Sequence, residues 1–323
     1  MDAGSRYSFG PVPSRRLGRS LGINNIPMKT CTYSCVYCQV GRTTHRGVDR
    51  QTFYPSADVA ADVRRRVQET EIAGERLDYL AFVPDGEPTL DVNLGYEIEA
   101  LKDLGIPVAV ITNGSLLWRE DVRRDLSRAD WVSVKVDTVD EATWHQLDRP
   151  HRSLDLPQLL EGINAFAAGF PGELVTETML VTSLNDTEEG VRAVAEYVSG
   201  LHPSRAYLSI PTRPPAEPWL QSGPDEPTLN RLFQRFAERA PQAEYLIGYE
   251  GDEFASTGDI VTDLLSITAV HPMRSDAVAA LLQVGGHSPE VLERLIERGE
   301  VVRTEYGGHT FYVRRCASVA PPR

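Results

Sequence analysis

With 323 residues and a formal net charge of −13, the chain is long enough for one large domain, or for a main domain with a small satellite. Apolar residues make up 41% of the composition and charged residues 24%, which is ordinary for a globular protein and excludes a low-complexity scaffold. The first residues have no apolar stretch typical of a signal peptide, and no later run approaches the roughly 18 apolar residues of a membrane span. These features predict a cytoplasmic protein without a membrane partner.

Apolar runs alternate with amphipathic helical patterns along the first two thirds of the chain, which is typical of βα units with a parallel sheet. Six strands are predicted, at 21–24, 77–83, 107–112, 131–137, 174–181 and 205–210. Helices are predicted between them, at 58–73, 93–104, 120–127, 155–168 and 186–199. Six strands joined by crossover helices predict a partial (β/α)6 barrel.

A proline-rich stretch at 211–227 predicts an extended connector that leaves the sheet. After it, helices are predicted at 228–239, 275–283 and 288–299, and a β-hairpin at 301–304 and 310–313. Helix, helix and hairpin together predict a small winged-helix-like domain. The chain then divides into a barrel with an N-terminal extension at 1–211, a connector and helical segment at 212–262, and the small domain at 263–323.

Basic residues are concentrated at the N-terminal end of this acidic chain. Residues 1–50 hold eight Lys or Arg against two Asp or Glu. Because arginine suits bidentate contacts with phosphate or carboxylate, this segment fits a site for an anionic substrate, although it also fits an ordinary solvated surface. The residues with this ambiguity are Arg15, Arg16 and Arg19, and in the connector Arg213 and Glu217.

The strongest signal is a group of three cysteines in the loop after the first predicted strand. Cys31, Cys35 and Cys38 have the spacing C-x3-C-x2-C. Three thiolates so close together can bind three irons of a cubane cluster and leave the fourth iron open to an external ligand. A structural zinc site normally has four protein ligands, and the only other cysteine, Cys316, is far away. The alternative is a zinc site that His45 completes.

With the aromatic Tyr37 before the third cysteine, this motif resembles that of the radical S-adenosylmethionine superfamily, and the resemblance covers about residues 21–211. It implies a [4Fe–4S] cluster on the three cysteines and S-adenosylmethionine as the ligand of the open iron. It also implies that one electron from the reduced cluster cleaves S-adenosylmethionine to a 5′-deoxyadenosyl radical, which abstracts hydrogen from a substrate. The electron would come from a donor of the flavodoxin or ferredoxin type.

Three further motifs resemble an uncharacterised branch of this superfamily that is similar to the tRNA-modifying wyosine synthases. They are GPVPSRRLG at 10–18, GEPTL at 86–90 and PTRPP at 211–215. Wyosine synthases carry a second cluster on additional N-terminal cysteines, and this chain has no cysteine before Cys31. The resemblance therefore does not fix the wyosine reaction, and RNA, peptides and small metabolites are all candidate substrates.

The resemblance also implies roles for polar residues at the strand ends, where parallel α/β folds gather their active sites. Gly86 and Glu87 match the superfamily's glycine-glycine-glutamate position, whose backbone binds the amino group of S-adenosylmethionine, and Asp85 replaces the first glycine. The residues expected to meet the ribose or carboxylate of the cofactor are Thr112, Asn113, Lys135 and Asp137. The last two, which share a strand face, also fit an ion pair without a ligand.

A non-catalytic iron–sulfur or zinc regulator that binds nucleic acid through the C-terminal domain is the alternative function. Residues 263–323 contain seven Lys or Arg and seven Asp or Glu, whereas a phosphate-binding face usually has a basic excess. The sequence therefore favours an enzyme.

Overall fold

The computed structural model describes residues 7–220, 223–247, 259–270 and 272–315. Its strands are β1 (Ser8–Ser14), β2 (Gly18–Ile23), β3 (Thr30–Cys31), β4 (His45–Arg46), β5 (Tyr79–Phe82), β6 (Val108–Thr112), β7 (Trp131–Lys135), β8 (Glu173–Met179), β9 (Arg205–Ser209), β10 (Ala243–Leu246), β11 (Met273–Arg274), β12 (Val301–Tyr306) and β13 (His309–Arg314). Its α-helices are α1 (Ser56–Ile72), α2 (Leu94–Leu101), α3 (Glu120–Leu126), α4 (Glu141–Leu147), α5 (Leu156–Gly169), α6 (Glu188–Gly200), α7 (Glu226–Ala237), α8 (Ile260–Val270), α9 (Ser275–Val284) and α10 (Glu290–Glu297).

Eight of these strands form one sheet in the order β1-β2-β5-β6-β7-β8-β9-β10. β1 is antiparallel to β2, and every other neighbouring pair is parallel. The order is linear, with β1 and β10 at the two edges, as in a partial barrel. The predicted α/β fold with a parallel sheet is therefore confirmed.

The central strands are apolar at successive positions, as expected of a sheet that is covered on both faces. Side chains alternate between the faces with period two, so Val108 and Val110 pack against the helices, while Ala109 points to the other face. There Ala109 joins an inner cluster with Trp131 and Tyr207. Because β2 and β5 to β10 run parallel to one another, their carboxyl ends lie at the same edge of the sheet.

The two edge strands were not predicted. β1 has the sequence SFGPVPS, and its glycine and prolines favour a loop when they are considered locally. An edge strand tolerates them, and the register of β1 shifts between Phe9 and Val12. In β10 only Leu246 is buried, so no apolar run marks this strand. The helices α4 and α8 were also missed.

The C-terminal part contains α8, α9 and α10 and a three-stranded antiparallel sheet in the order β11-β13-β12. This is the arrangement of a winged helix, as predicted. The unit shares a hydrophobic cluster with β1, in which Phe9 and Val12 pack together with Leu264 and Ile267 of α8. The domain limits proposed from the sequence remain predictions. Within the described ranges, no helix is long and apolar enough to cross a membrane.

Candidate cofactor site

A cavity of about 270 Å³ lies at the carboxyl ends of the parallel strands. Its wall is formed by the loop between β2 and α1, which carries the three cysteines, and by the ends of β5 to β10. Eight of the nine site residues predicted from the sequence line it: Cys31, Cys35, Cys38, Gly86, Glu87, Thr112, Asn113 and Lys135. The structure therefore brings the cysteine motif and the strand-end motifs to one place.

The cysteine loop is fixed by backbone hydrogen bonds on both sides. Cys31 in β3 is paired in parallel with β4, and its carbonyl also accepts a bond from the Gly47 N–H at 3.2 Å. On the other side the Ser34 N–H donates to the Asp148 carbonyl at 3.0 Å, and the Val36 N–H donates to the Leu147 carbonyl at 2.9 Å. The loop therefore has a defined shape, which α4 supports.

The three thiols are half-buried, and burial raises the pKa of each, that of Cys31 to about 12. The raised pKa values disfavour the free thiolates, and binding of a metal would favour them. Within the described part of the chain, no three His, Cys, Asp or Glu side chains converge on a single metal ion. A cubane cluster does not require this, because each thiolate binds its own iron. His45 is exposed and lies outside the cavity wall, so these residues fit a cluster better than zinc.

Gly86 is in direct contact with the cysteine loop. A Cβ atom at this position would lie 1.8 Å from the carbonyl oxygen of Thr30. The same oxygen accepts a hydrogen bond from the Glu87 N–H at 3.1 Å, and the Lys29 N–H donates to the Asp85 carbonyl at 2.7 Å. Only glycine permits this close backbone approach.

Glu87 ties the ends of β5 and β6 together. Its buried carboxylate accepts hydrogen bonds from the Thr89 N–H at 3.1 Å, the Thr89 and Thr112 hydroxyls at 2.6 Å and the Asn113 N–H at 2.8 Å. Burial raises the pKa of Glu87, although these hydrogen bonds lower it in part. The carboxylate thus positions its neighbours by interactions within the protein.

Asn113 extends this network to the cysteine loop. Its amide nitrogen donates to the Thr32 hydroxyl at 2.8 Å and lies 3.6 Å from the sulfur of Cys31. The Thr32 hydroxyl lies 2.7 Å from that of Ser115. The end of β6 is therefore in contact with the residues around the first cysteine.

Lys135 forms a buried charge network with a residue that the sequence reasoning missed. Its Nζ lies 3.6 Å from Oε1 of Glu177, which also pairs with Arg16 and accepts a hydrogen bond from the Ser209 hydroxyl at 2.9 Å. Although burial opposes ionisation, Lys135 and Arg16 hold the pKa of Glu177 at about 2. A glutamate at an interior position of the buried strand β8 was the signal that could have identified it.

Asp137 is the one predicted site residue that does not line this cavity. It accepts hydrogen bonds from the Tyr37 hydroxyl and from the Met179 N–H, the latter at 2.7 Å. Its carboxylate lies 3.8 Å from Nζ of Lys135, and with Asp148 it borders a separate small cavity. A contact between Asp137 and the cofactor ribose stays a prediction.

The basic and acidic residues that were ambiguous in the sequence have different positions. Arg15, Arg16 and Arg213 line the cavity. Arg19 does not, because it forms an ion pair with Glu75. The carboxylate of Glu217 is buried between Arg42 and Arg149, and its N–H donates to the Val36 carbonyl at 3.1 Å, so the connector is fixed to the cysteine loop.

Comparison with known proteins is consistent with this site. The model of the radical SAM superfamily matches residues 25–198, and the chain belongs to that superfamily. Its cofactors are accordingly a [4Fe–4S] cluster and S-adenosylmethionine. Within the superfamily the chain belongs to the UPF0026 family: the UPF0026 protein of Methanocaldococcus jannaschii is 44% identical over 313 residues, which cover 96% of this chain and 97% of that protein. One from Synechocystis is 39% identical over 208 residues, which cover 64% of this chain and 76% of that protein.

Several solved structures share the fold. SuiB of Streptococcus suis bound to S-adenosylmethionine has a TM-score of 0.53 at 12% identity, covering 73% of this chain and 53% of that chain. TYW1 with a lysine-pyruvate adduct has a TM-score of 0.50 at 14% identity, covering 68% of this chain and 73% of that one. This chain spans about half the length of SuiB, and at these identities the likeness shows the fold alone.

Proposed function

We propose that this chain is a radical S-adenosylmethionine enzyme that holds its cluster on Cys31, Cys35 and Cys38. When bound and reduced, the cluster would supply one electron for cleavage of S-adenosylmethionine to methionine and a 5′-deoxyadenosyl radical, which would abstract hydrogen from the substrate. The observation that carries the proposal is the presence of all three thiols on one cavity wall with the strand-end residues of β5, β6 and β7.

The residues around the thiols would orient the second cofactor. The backbone at Gly86 is open to the cavity and suits the amino group of S-adenosylmethionine, while Glu87 and Thr112 fix the loop that presents it. The ammonium group of Lys135 suits the cofactor's carboxylate. Asn113 can donate to a ribose oxygen, and Asp137 would act indirectly by positioning Lys135 and Tyr37.

Cationic residues on the remaining wall support a substrate with a carboxylate or phosphate group. Arg15, Arg213 and Lys29 line the cavity beside apolar residues such as Ile210 and Leu246. RNA, which carries a phosphate at each nucleotide, fits this chemistry, as does a small anionic metabolite. The reduced thiols and the need for a one-electron donor of the flavodoxin or ferredoxin type support a location in the cytoplasm.

The C-terminal unit gives little support to a nucleic-acid-binding regulator. The exposed positions of α10 and its C-cap include Glu290, Glu293 and Glu297 against Arg294 and Arg298. A helix that lies along DNA usually has a basic excess, because phosphate contacts dominate the affinity. We therefore propose that this unit serves the enzyme.

Anaerobic reconstitution followed by analysis of metal and product tests the proposed function. The wild type should bind about four irons and four sulfides per chain, and with dithionite it should convert S-adenosylmethionine to 5′-deoxyadenosine and methionine. Cys31→Ala, Cys35→Ala or Cys38→Ala should each abolish this conversion, because the cluster would lose a thiolate. Cys316→Ala, at the remaining cysteine and outside the described residues, is the matched control and should keep both properties. Stoichiometric zinc, or an iron-replete wild type that forms no 5′-deoxyadenosine, would refute the proposal.

A further inference from the structure

Four arginines, three of them exposed and one partly exposed, lie beside the outer side of the cysteine loop. They are Arg42, Arg46, Arg149 and Arg152, here called the arginine patch. The side chains of Arg42 and Arg149 are 67% and 36% exposed. None of the four lines the cavity, so the patch and the cavity are different surfaces of the same loop.

Residues of the patch, or their direct neighbours in the chain, contact the backbone next to each cysteine. Arg46 lies opposite Cys31 in the β3–β4 pair. The carbonyl of Arg149 accepts a hydrogen bond at 3.3 Å from the N–H of Ser34, the neighbour of Cys35. Arg42 follows a glycine whose N–H donates to the Cys38 carbonyl at 3.1 Å. The patch therefore lies beside the backbone segments that carry the three thiols.

The patch keeps a net positive charge although the chain as a whole is acidic. Glu217 pairs with both Arg42 and Arg149, but its side chain is only 3% exposed, and one carboxylate neutralises one of the two arginines. Arg46 and Arg152 form no ion pair within the described residues. A local excess of one charge attracts partners of the opposite charge and accelerates their association.

We propose that the arginine patch is the docking surface for an acidic one-electron donor protein of the flavodoxin or ferredoxin class. The inference rests on the proposed function. In the electron transfer at this surface, one electron passes from the donor to the cluster, and no bond forms or breaks. Because cofactor and substrate must share the cavity, a route through the outer side of the loop leaves that cavity free. This separation favours a donor over an RNA substrate as the occupant of the patch.

Stopped-flow reduction of the reconstituted holoenzyme tests the inference, with flavodoxin hydroquinone as the protein donor and reduced methyl viologen, a small cation, as the reference donor. The patch variant carries both Arg46→Glu and Arg152→Glu. The matched control is Arg192→Glu with Arg298→Glu, which makes the same charge change at exposed sites outside the patch. At low ionic strength, reduction by flavodoxin should slow about tenfold in the patch variant and stay near the wild-type rate in the control. The difference should shrink as salt is added, and reduction by viologen should not slow.

An unchanged flavodoxin rate in the patch variant would overturn the inference, as would an equal loss in the control. Slower reduction by both donors, or a lower iron content, would show a disturbed cluster rather than a lost docking surface. The single variant Arg152→Glu, at an exposed side chain, repeats the test without altering the β3–β4 pair. Loss of tRNA binding with intact reduction by flavodoxin would reassign the patch to nucleic acid. A wild type without a cluster would instead refute the proposed function.

Discussion

Gly86 determines how closely the strand-end loop and the cysteine loop approach each other. In Gly86→Ala the new Cβ would meet the backbone of Thr30, which cannot rotate away as a side chain would. We expect the free energy of unfolding of the cluster-free protein to fall by about 2 kcal/mol, and the iron bound after reconstitution to decrease. Urea unfolding and iron analysis measure both. Gly47→Ala, where no heavy atom lies within 4 Å of the new Cβ, should match the wild type. Wild-type stability and iron content in Gly86→Ala would contradict the contact.

A second residue links stability to pH at a position away from the thiols. Glu97 of α2 is 1% exposed, and burial, together with the charge of Asp91, raises its pKa from 4.5 to about 8. Between these two values the folded chain binds a proton here that the unfolded chain does not bind. The free energy of unfolding therefore falls as the pH rises through this window.

Glu97→Gln removes the ionisation while keeping the shape of the side chain. Between pH 5 and pH 8 this variant should lose about 3 to 4 kcal/mol less stability than the wild type, because one pKa unit corresponds to about 1.4 kcal/mol. Urea unfolding at several pH values measures this difference. Glu71→Gln, at an exposed position of α1, should follow the wild-type slope. Parallel slopes for Glu97→Gln and the wild type would place the Glu97 pKa near its usual value.

At the scale of elements, the sequence predicted what depends on local pattern. The inner strands β5, β6 and β7 are mainly apolar, and β2, β8 and β9 contain shorter apolar stretches. Because the cysteines follow β2, both the sheet and the cluster loop were predictable. β1 was not, because its prolines are acceptable only at an edge next to β2, which is a tertiary condition. The same holds for Glu177, whose role depends on Lys135 and Arg16 from other segments.

Because side chains alternate between the two faces of a strand, the sequence predicted Lys135 and Asp137 on the same face. This prediction applies only to residues within the strand. β7 stops at Lys135, so Asp137 belongs to the following loop. There the Met179 N–H and the Tyr37 hydroxyl hold its carboxylate. The two side chains remain 3.8 Å apart as an ion pair, but only Lys135 lines the cavity. Strand ends, which carry most of the chemistry in this fold, are thus where sequence periodicity is least informative.

At the scale of the whole molecule, the C-terminal unit is joined to the sheet by buried contacts. Leu264 and Ile267 of α8 share a cluster with Phe9 and Val12 of β1. Asp263 of α8 forms an ion pair at 3.2 Å with Arg66 of α1, and both side chains are essentially inaccessible to solvent. Separating the two parts would expose apolar surface and a buried charge pair, which is costly. We therefore expect the unit and the barrel to unfold together.

Tryptophan fluorescence can test this coupling, because no tryptophan lies in residues 259–323 and the signal reports on the rest of the chain. Leu281 of α9 is fully buried in the shared cluster, and Leu281→Ala should lower the free energy of unfolding by about 2 to 5 kcal/mol through loss of contacts and a cavity. If the parts unfold together, the urea midpoint of the fluorescence transition must shift by the corresponding amount, although every tryptophan is in the other part.

Val284→Ala, near the end of the same helix and 74% exposed, should leave that midpoint in place. An unshifted tryptophan transition in Leu281→Ala, with an earlier separate loss of helical circular dichroism, would show instead that the C-terminal unit is an independent domain.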